Sequence, residues 1–218
     1  MPNRVLIVLA GEDAPLALIR EWADRHDTIV AADSGADRCL EAGVVPTVVV
    51  GDFDSIQRAK ELPEAILHRS DDQDTTDFEK ALHWVSTNAP DAKVTVIGFE
   101  GDRIDHVLYS LHVAALHPLR PILAQRNGIL VSVHGGETHE FAVAAGTVLS
   151  LVAVLPSTGV HLSGVKWPLR DADLSPGGLE SISNLASESS VKVAMMTGAA
   201  WLFFEQSTGV VETLYSID

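Results

Sequence analysis

Apolar residues in the first half of the chain form short continuous runs, and amphipathic segments lie between the runs. RVLIVLAG, TIVAADSG and TVVVGD are rich in β-branched residues and predict buried strands. APLALIREWADRH and ADRCLEAG lie between them and predict helices, the second of which ends at Gly43. Because strands and helices alternate, the pattern favours an α/β fold with a parallel sheet covered on both faces.

Two longer helices and one more strand follow in the same half. TTDFEKALHWV begins with Thr76 and Glu79 at the spacing of a capping box, and its apolar residues recur at a helical period. KVTVIGF predicts a strand, and RIDHVLYSLHVAAL predicts the last helix. We expect that last helix to bury one apolar face, made of Ile104, Val107, Leu108 and Leu111.

After about residue 120, helical periodicity weakens and strand-like segments with turn residues between them take over. GILVSVHGGETHEFAV predicts a hairpin around its two glycines. TVLSLVAVLP, GVHLSGVKWPL and GAAWLFFEQSTGVVETLYSI predict further strands. We therefore predict an α/β domain over residues 1–120 and a mostly antiparallel β domain, a sandwich or a barrel, over residues 121–218.

The composition narrows the class of protein and its partners. The chain has 218 residues, 46% hydrophobic and 21% charged, which is typical of a folded globular protein. Its net charge of -15 argues against a nucleic-acid or membrane surface as partner, and any phosphate site would need local cations. Cys39 is the single cysteine, so no internal disulfide can form. With no recognisable leader or membrane segment, we expect a cytoplasmic protein.

Four aspartates follow predicted strands or begin a helix. Asp33 follows TIVAA, Asp52 and Asp54 follow TVVVG, and Asp77 lies in the first turn of the capped helix. Ligands of open parallel sheets bind beyond the carboxyl ends of the strands, so we expect these acids at one edge. Each alone is explained as a turn former or a helix cap. A pair flanking Phe53 directly after a buried strand is better explained by Mg²⁺, which prefers oxygen ligands.

Two cationic side chains are predicted near the same edge. Lys80 lies three residues after Asp77 and shares its helix face, although spacing alone equally predicts a surface ion pair. Arg103 lies in GFEGDRIDH, between a strand and a helix, and its guanidinium suits a phosphate. The chain lacks GxxxxGK[ST], GxGxxG and HExxH. The sequence therefore does not predict a P-loop, a dinucleotide-binding site of the Rossmann type or a zinc protease.

In order along the chain, ADSGAD, GDFDS, DQDTTDFEK, GDRIDH, GVKWPL and SISN resemble the motifs of the thiamine pyrophosphokinase family. The matches span about residues 31–184. The resemblance implies a Rossmann-like catalytic domain followed by a β-sandwich thiamine-binding domain, in a homodimer with its site at the chain interface. It also implies Mg²⁺-dependent transfer of a diphosphoryl group from ATP to thiamine, which gives AMP and thiamine diphosphate.

The same resemblance implies roles for individual residues. The magnesium ligands would be Asp33, Asp52, Asp54 and Asp77. The residues facing ATP would be Gln73, Thr76, Lys80, Arg103 and Asp105. The residues facing thiamine would be Trp167, Ser183 and Asn184. Phosphoryl transfer requires mainly positioning and charge neutralisation, which makes Asp54, Asp77, Lys80 and Arg103 the predicted catalytic residues, with Asp54 or Asp77 as the proton acceptor.

Three other functions stay open at the level of sequence. A diphosphokinase for another alcohol, such as a hydroxymethylpterin, would need the same phosphate machinery. A non-catalytic nucleotide- or thiamine-binding sensor would keep the fold but would not need all of the acids and cations together. A metal-dependent phosphohydrolase would release phosphate from ATP without an acceptor.

Overall fold

The computed structural model describes residues 3–63, 66–101 and 103–205. Its strands are both parallel and antiparallel, and the described part also contains four α-helices and a short 3-10 helix, Ala59–Glu61, so the fold is mixed α/β. The chain divides into two compact units, the first comprising Met1–Val113 with His117–Arg126, and the second Ala114–Leu116 with Asn127–Asp218. None of the described helices is long and apolar enough to cross a membrane.

The first unit contains six parallel strands in the order β4-β3-β2-β1-β5-β6. The chain builds the sheet outward from β1 to β4 and then returns to the other side of β1 with β5, so the topology reverses between β1 and β5. The strands are β1 (Arg4–Val8), β2 (Thr28–Ala32), β3 (Val48–Gly51), β4 (Leu67–Arg69), β5 (Lys93–Ile97) and β6 (Ile122–Gln125). The helices are α1 (Leu16–Ala23), α2 (Gly35–Glu41), α3 (Asp77–Asn88) and α4 (Ile104–Leu116).

The centre of this sheet is apolar on both faces, as the continuous hydrophobic runs predicted. Val5, Leu6, Ile7 and Val8 of β1 have no exposed surface, although their side chains alternate between the two faces. The pattern did not predict β4, which has only three residues, or β6, which lies in the segment that we assigned to the second domain. Short strands with little apolar patterning give weak sequence signals.

The predicted capping box at the start of α3 is confirmed. The Thr76 hydroxyl accepts a hydrogen bond from the Glu79 N–H at 3.3 Å, and the Glu79 carboxylate accepts one from the Thr76 N–H at 2.9 Å. Phe78 and Leu82 are buried on the inner face of the helix, which contacts β2 and β3. These two local signals orient the first turn of α3, and with it Asp77 and Lys80.

The predicted core face of α4 is wrong. Ile104 is 65% exposed and Leu108 is exposed as well, whereas Ser110 and Ala114 are buried. The helix carries apolar residues on nearly all sides, so hydrophobic period alone does not select the packed face. Small side chains allow a helix to pack closely, and here they mark the buried side.

The second unit is antiparallel throughout its described pairings, as predicted. β13 lies between β7 and β9, and β9 also pairs with β10, β11 and β12, while β12 carries β8 on its other side. The strands are β7 (Gly128–His134), β8 (Thr138–Ala142), β9 (Val148–Ser163), β10 (Leu169–Leu174), β11 (Ser181–Leu185), β12 (Ser190–Ala194) and β13 (Thr197–Glu205). The predicted final strand continues beyond residue 205, outside the described residues.

The predicted hairpin around Gly135 and Gly136 is wrong. Both strands form, but β7 pairs with β13 and β8 pairs with β12. The Gly135 N–H donates to the Gly198 carbonyl at 3.0 Å, and a Cβ on Gly135 would lie 2.5 Å from the Cα of Thr197. Gly135 therefore serves a close approach to the turn between β12 and β13, whereas Gly136 has φ +84° and no close neighbour at the position of a Cβ. A turn signal specifies where the chain reverses, not which strand becomes the partner.

The two strands predicted within residues 147–169 are largely one strand, β9. Its first half pairs with β11 and with most of β13, and its second half pairs with β10 and β12 and, at Thr158, with the start of β13. Pro156 lies in the middle, where the register with β13 shifts, and Gly159 has φ +61°. Proline and glycine suggested a break because they usually end strands, but here they mark irregularities inside a long one.

Candidate active site

A pocket of about 770 Å³ lies in the first unit, at the carboxyl ends of the parallel strands. Its walls come from the loops after β1, β2, β3, β4 and β5, from the first turn of α3 and from the first two turns of α4. It therefore includes the position between β1 and β5 where the strand order reverses. Crevices at such positions are the usual ligand sites of open α/β sheets.

All four of the predicted aspartates line this pocket. Asp33, Asp52 and Asp54 each place a carboxylate oxygen within 4.8 Å of the other two. Asp33 is 4% exposed, and its Oδ1 has no hydrogen-bond partner among the described residues. Burial, followed by the charges of Asp77, Asp52 and Asp54, raises the pKa of Asp33 to about 6. The protein thus brings carboxylates together without supplying a cation to Oδ1 of the most buried one.

A tight turn after β3 presents Asp52 and Asp54. The Asp54 N–H donates to Oδ1 of Asp52 at 3.2 Å, and the Ser55 hydroxyl donates to Oδ1 of Asp54 at 2.8 Å. Phe53 has φ +67°, a left-handed conformation that is strained for a bulky side chain. A Cβ on Gly51 would lie 3.0 Å from the Cβ of Asp33, so glycine permits the ends of β2 and β3 to approach.

Lys80 is a buried member of the pocket rather than a surface lysine. Its side chain is 6% exposed, and Nζ donates to Oδ1 of Asp77 at 3.0 Å. Burial works against its charge, but the hydrogen bond and charge of Asp77 outweigh burial and raise the Lys80 pKa. Gln73 donates from Nε2 to Oδ2 of Asp52 at 3.2 Å. The Asp54 N–H and then Gln73 lower the pKa of Asp52.

Arg103 and Asp105 form an exposed pair at the start of α4, on the lining of the pocket. Nε and Nη2 of Arg103 donate to the two carboxylate oxygens at 2.9 and 2.7 Å, and this fork lowers the pKa of Asp105. Exposed ion pairs contribute little stability, so a phosphate can compete for the guanidinium at small cost. Thr76 also lines the pocket, but its hydroxyl serves the capping box.

Sequence reasoning missed other lining residues. The Gly11 N–H donates to the Gly98 carbonyl at 2.8 Å, and a Cβ on Gly11 would lie 1.9 Å from the Glu100 carbonyl oxygen. The loops after β1 and β5 touch at this point, and only glycine fits. Gly11 directly follows the first apolar run, which is a usable signal. Tyr109 of α4 also lines the pocket, but no motif singles it out.

Trp167 and Asn184 form a separate polar and aromatic cluster in the second unit. Oδ1 of Asn184 accepts a hydrogen bond from the Trp167 N–H at 3.1 Å, and Nδ2 donates to the Trp167 carbonyl at 2.7 Å. Nδ2 also donates to the Ser181 hydroxyl at 3.0 Å. Asn184 is only 1% exposed, whereas Trp167 is 53% exposed. The buried amide therefore holds the backbone that presents the exposed indole.

Ser183 and Lys166 adjoin this cluster along the chain. Ser183 is exposed with φ +54°, and its N–H donates to the Ser150 hydroxyl at 3.0 Å. The ammonium of Lys166 lies 4.6 Å from the centroid of the Trp167 ring. One face of the indole is thus taken by a cation of the same unit.

Two family models match the chain. The model described as "Thiamin pyrophosphokinase, catalytic domain" matches residues 19–121. The model described as "Thiamin pyrophosphokinase, vitamin B1 binding domain" matches residues 138–199. Together they cover about three quarters of the 218 residues.

Individual relatives align with this chain over most of its length. Thiamine pyrophosphokinase 1 of Oryza sativa subsp. japonica is 28% identical over 225 residues, covering 89% of this chain and 85% of the relative. Thiamine pyrophosphokinase of Bacillus subtilis is 27% identical over 192 residues, covering 82% and 87%.

Two crystal structures have the same fold. A thiamin pyrophosphokinase family protein from Enterococcus faecalis superposes with a TM-score of 0.78 at 25% identity, covering 94% of this chain and 100% of that one. Yeast thiamin pyrophosphokinase superposes with a TM-score of 0.77 at 15% identity, covering 99% and 89%. The second likeness concerns the fold alone.

Proposed function

The chain belongs to the thiamin pyrophosphokinase family, and we propose that it transfers a diphosphoryl group from ATP to thiamine, giving AMP and thiamine diphosphate. The observation that carries the proposal is the pocket of the first unit. Its buried carboxylate Asp33 and buried cation Lys80 lie within the part of the chain that the catalytic-domain model matches.

We propose that the two substrates bind to different domains, as the motifs imply. Residues 1–120 would form a Rossmann-like domain that binds ATP, and residues 121–218 would form a β-sandwich domain that binds thiamine. The parallel sheet with its pocket at the reversal of strand order supports the first assignment. The second is supported by antiparallel pairing and by β9, whose two halves pair with different sets of strands.

Asp33, Asp52, Asp54 and Asp77 fit a magnesium ion. All four line the pocket and offer oxygen ligands of the type that Mg²⁺ prefers. Asp33, Asp52 and Asp54 place carboxylate oxygens within 4.8 Å of one another, whereas Asp77 lies outside this group and accepts a hydrogen bond from Lys80. The buried Oδ1 of Asp33 lacks any other partner among the described residues. A bound Mg²⁺ would neutralise charge on the ATP phosphates. The turn after β3 would keep Asp52 and Asp54 turned to the same ion.

The remaining phosphate charge would fall to Lys80 and Arg103. Lys80 is held by Asp77 inside the pocket, and Arg103 would exchange Asp105 for a phosphate oxygen. Gln73 and Asp105 would also face the nucleotide. We assign Thr76 an indirect part, since its hydroxyl holds the helix start that carries Asp77 and Lys80.

In the reaction, the hydroxyl oxygen of thiamine bonds to the β-phosphorus of ATP. The bond from that phosphorus to the oxygen bridging it to the α-phosphorus breaks, and AMP leaves. The hydroxyl proton passes to Asp54 or Asp77. Positioning and charge neutralisation supply most of the catalysis, because the transition state of phosphoryl transfer is loose.

Thiamine would bind at the cluster of Trp167 and Asn184 in the second unit. The exposed indole of Trp167 offers a stacking surface for the cationic thiazolium or the pyrimidine. Ser183 would contact the same molecule, and Asn184 would contribute by holding Trp167. For assembly and location we propose a cytoplasmic homodimer with the site at the chain interface, on the resemblance of the motifs.

One assay tests the proposal. The protein is incubated with ATP, Mg²⁺ and equal amounts of thiamine and a hydroxymethylpterin, and the products are identified by mass spectrometry. We expect AMP and thiamine diphosphate in equal amounts. Diphosphorylated pterin would instead indicate another acceptor, phosphate release without acceptor would indicate a hydrolase, and no turnover would indicate a sensor.

A further inference from the structure

The turn that carries Asp52 and Asp54 is tied to α2 by a single side chain. Oδ2 of Asp37 accepts a hydrogen bond from the Gln57 N–H, and Oδ1 accepts one from the Arg58 N–H, both at 2.9 Å. Both oxygens of one carboxylate thus bind two consecutive backbone amides about twenty residues further along the chain. Hydrogen bonds that backbone N–H groups donate to an ionised carboxylate are short and strong.

The tied segment depends on such support. Residues 52–58 form no helix or strand, and the segment includes the left-handed Phe53. One end is fixed where β3 finishes at Gly51, and Asp37 fixes the other at Gln57 and Arg58. Strained loop conformations persist only where the surrounding structure determines them.

The helix that provides this anchor is itself firmly seated. A Cβ on Gly35, the first residue of α2, would lie 2.2 Å from the Val8 carbonyl oxygen, so the helix begins directly against the end of β1. Nη2 of Arg38, the residue after Asp37, donates to the Ala14 carbonyl at 2.7 Å. The same turn of α2 therefore supports the loop after β1, part of which also lines the pocket.

We propose that Asp37 is a positioning residue, which sets the affinity of the pocket for a divalent cation by holding the Asp52–Asp54 turn in its ligand geometry. The proposal rests on the metal role in the proposed function and adds a residue that does not itself line the pocket. Partners that orient metal ligands from outside commonly change metal affinity 10- to 100-fold when they are replaced.

The test replaces Asp37 with asparagine, which keeps its size but opposes one of the two N–H groups with an amide N–H. Mn²⁺ serves as the probe, and free Mn²⁺ is followed by electron paramagnetic resonance during titration of the protein without nucleotide. We expect Asp37→Asn to weaken Mn²⁺ binding about tenfold. In turnover, we expect a higher Mg²⁺ requirement with an unchanged KM for thiamine.

Asp27→Asn is the matched control. Oδ2 of Asp27 accepts a hydrogen bond from the Arg4 N–H at 2.9 Å, and Asp27 does not line the pocket. This variant loses the same charge and weakens a hydrogen bond that a carboxylate accepts from a backbone N–H, so we expect slightly lower stability but wild-type Mn²⁺ affinity. Equal Mn²⁺ affinities for wild type and Asp37→Asn would overturn the proposal, as would an equal loss in both variants.

Asp37→Glu covers the case in which asparagine prevents folding. It keeps the charge and both acceptors on a longer arm, and circular dichroism verifies that it folds. We expect Mn²⁺ binding weaker than in wild type, and wild-type binding in a folded Asp37→Glu would count against the proposal. If wild type releases no AMP but Asp37 variants still bind Mn²⁺ less tightly, the proposed function fails while the positioning role stands.

Discussion

The pocket of the first unit and the Trp167 cluster of the second differ in how their polar groups are satisfied. In the pocket, carboxylates from separate loops come together, and Oδ1 of Asp33 is buried without a partner among the described residues. In the cluster, the buried amide of Asn184 makes hydrogen bonds with both its oxygen and its nitrogen. The pocket holds negative charge that a bound cation would neutralise. In the Trp167 cluster, the polar atoms of Asn184 are already hydrogen-bonded, and the exposed indole offers an aromatic surface.

This difference indicates what each region contributes. Crowded carboxylates in a partly buried pocket are costly until a cation binds them, so that region is arranged for charge. A satisfied polar network is rigid, so the second region holds the backbone of Trp167 in place, which the proposed stacking of thiamine on its indole requires. Substitutions in the pocket should therefore affect turnover and metal binding, and substitutions in the cluster should affect thiamine binding and stability.

The largest expected effect is that of Asp54→Asn on turnover. The change removes one charge and a proposed metal ligand while keeping the shape of the side chain, so the fold should survive. Loss of one ligand or positioning charge raises the activation barrier by a few kcal/mol, which lowers the rate about 10²- to 10³-fold. Release of AMP under saturating substrates measures it. Wild-type rates from a folded Asp54→Asn would break the assignment of the pocket to phosphate chemistry.

A smaller effect, on stability, is expected for Asn184→Ala. The change leaves the Trp167 backbone groups without this partner in a partly buried setting and the Ser181 hydroxyl without it in a buried one. Loss of buried hydrogen bonds should lower the free energy of unfolding by about 2–3 kcal/mol, measured by urea denaturation. The KM for thiamine should also rise while the Mn²⁺ affinity stays unchanged. A change in Mn²⁺ affinity would contradict the separation of the two regions.

Trp167→Ala should raise the KM for thiamine by about tenfold, since an aromatic face over a cation is worth about 1–2 kcal/mol. Trp167→Phe keeps an aromatic face and is the matched control, with a smaller expected rise. Because Trp167 is largely exposed, neither variant should lose much stability. An unchanged KM in Trp167→Ala would remove the stacking role from the second region.

The smallest expected effect concerns Asp33→Asn in metal-free protein. Because the pKa of Asp33 is raised to about 6, the native state holds a proton that the unfolded state releases near pH 4. Wild-type stability should therefore fall as pH rises from about 4 to 6, and Asp33→Asn should lack this fall. At pH 7.5 with EDTA, we expect the variant to be more stable by about 1–2 kcal/mol, since each unit of pKa shift corresponds to at most about 1.4 kcal/mol and solvent screens part of it.

Urea denaturation at pH 4.5 and pH 7.5 measures this difference, with Asp27→Asn as the charge-matched control. Added Mg²⁺ should stabilise wild type but not Asp33→Asn. If Asp33→Asn is no more stable than wild type at pH 7.5, the pocket is not carrying the unsatisfied charge on which the comparison rests.

Features encoded within a few residues were visible in the sequence. The capping box of Thr76 and Glu79 and the buried run of β1 follow from hydrogen bonds and side-chain alternation inside one element. The gathering of Asp33, Asp52 and Asp54 at one edge follows from parallel strands ending on the same side. Each depends on local geometry or on a general rule of sheet topology.

Tertiary structure alone decided which distant groups meet. β7 pairs with β13, Asp37 accepts a hydrogen bond from the Gln57 N–H, and Asn184 accepts one from the Trp167 N–H, although no local signal connects these segments. The exposure of Ile104 on α4 was likewise decided by the packing of the whole fold. Local preferences and periodicity act over a turn or a strand, so the sequence determined the elements and their chemistry. The choice of partners depends on burying all apolar surface and satisfying all buried polar groups at once, which only the complete fold achieves.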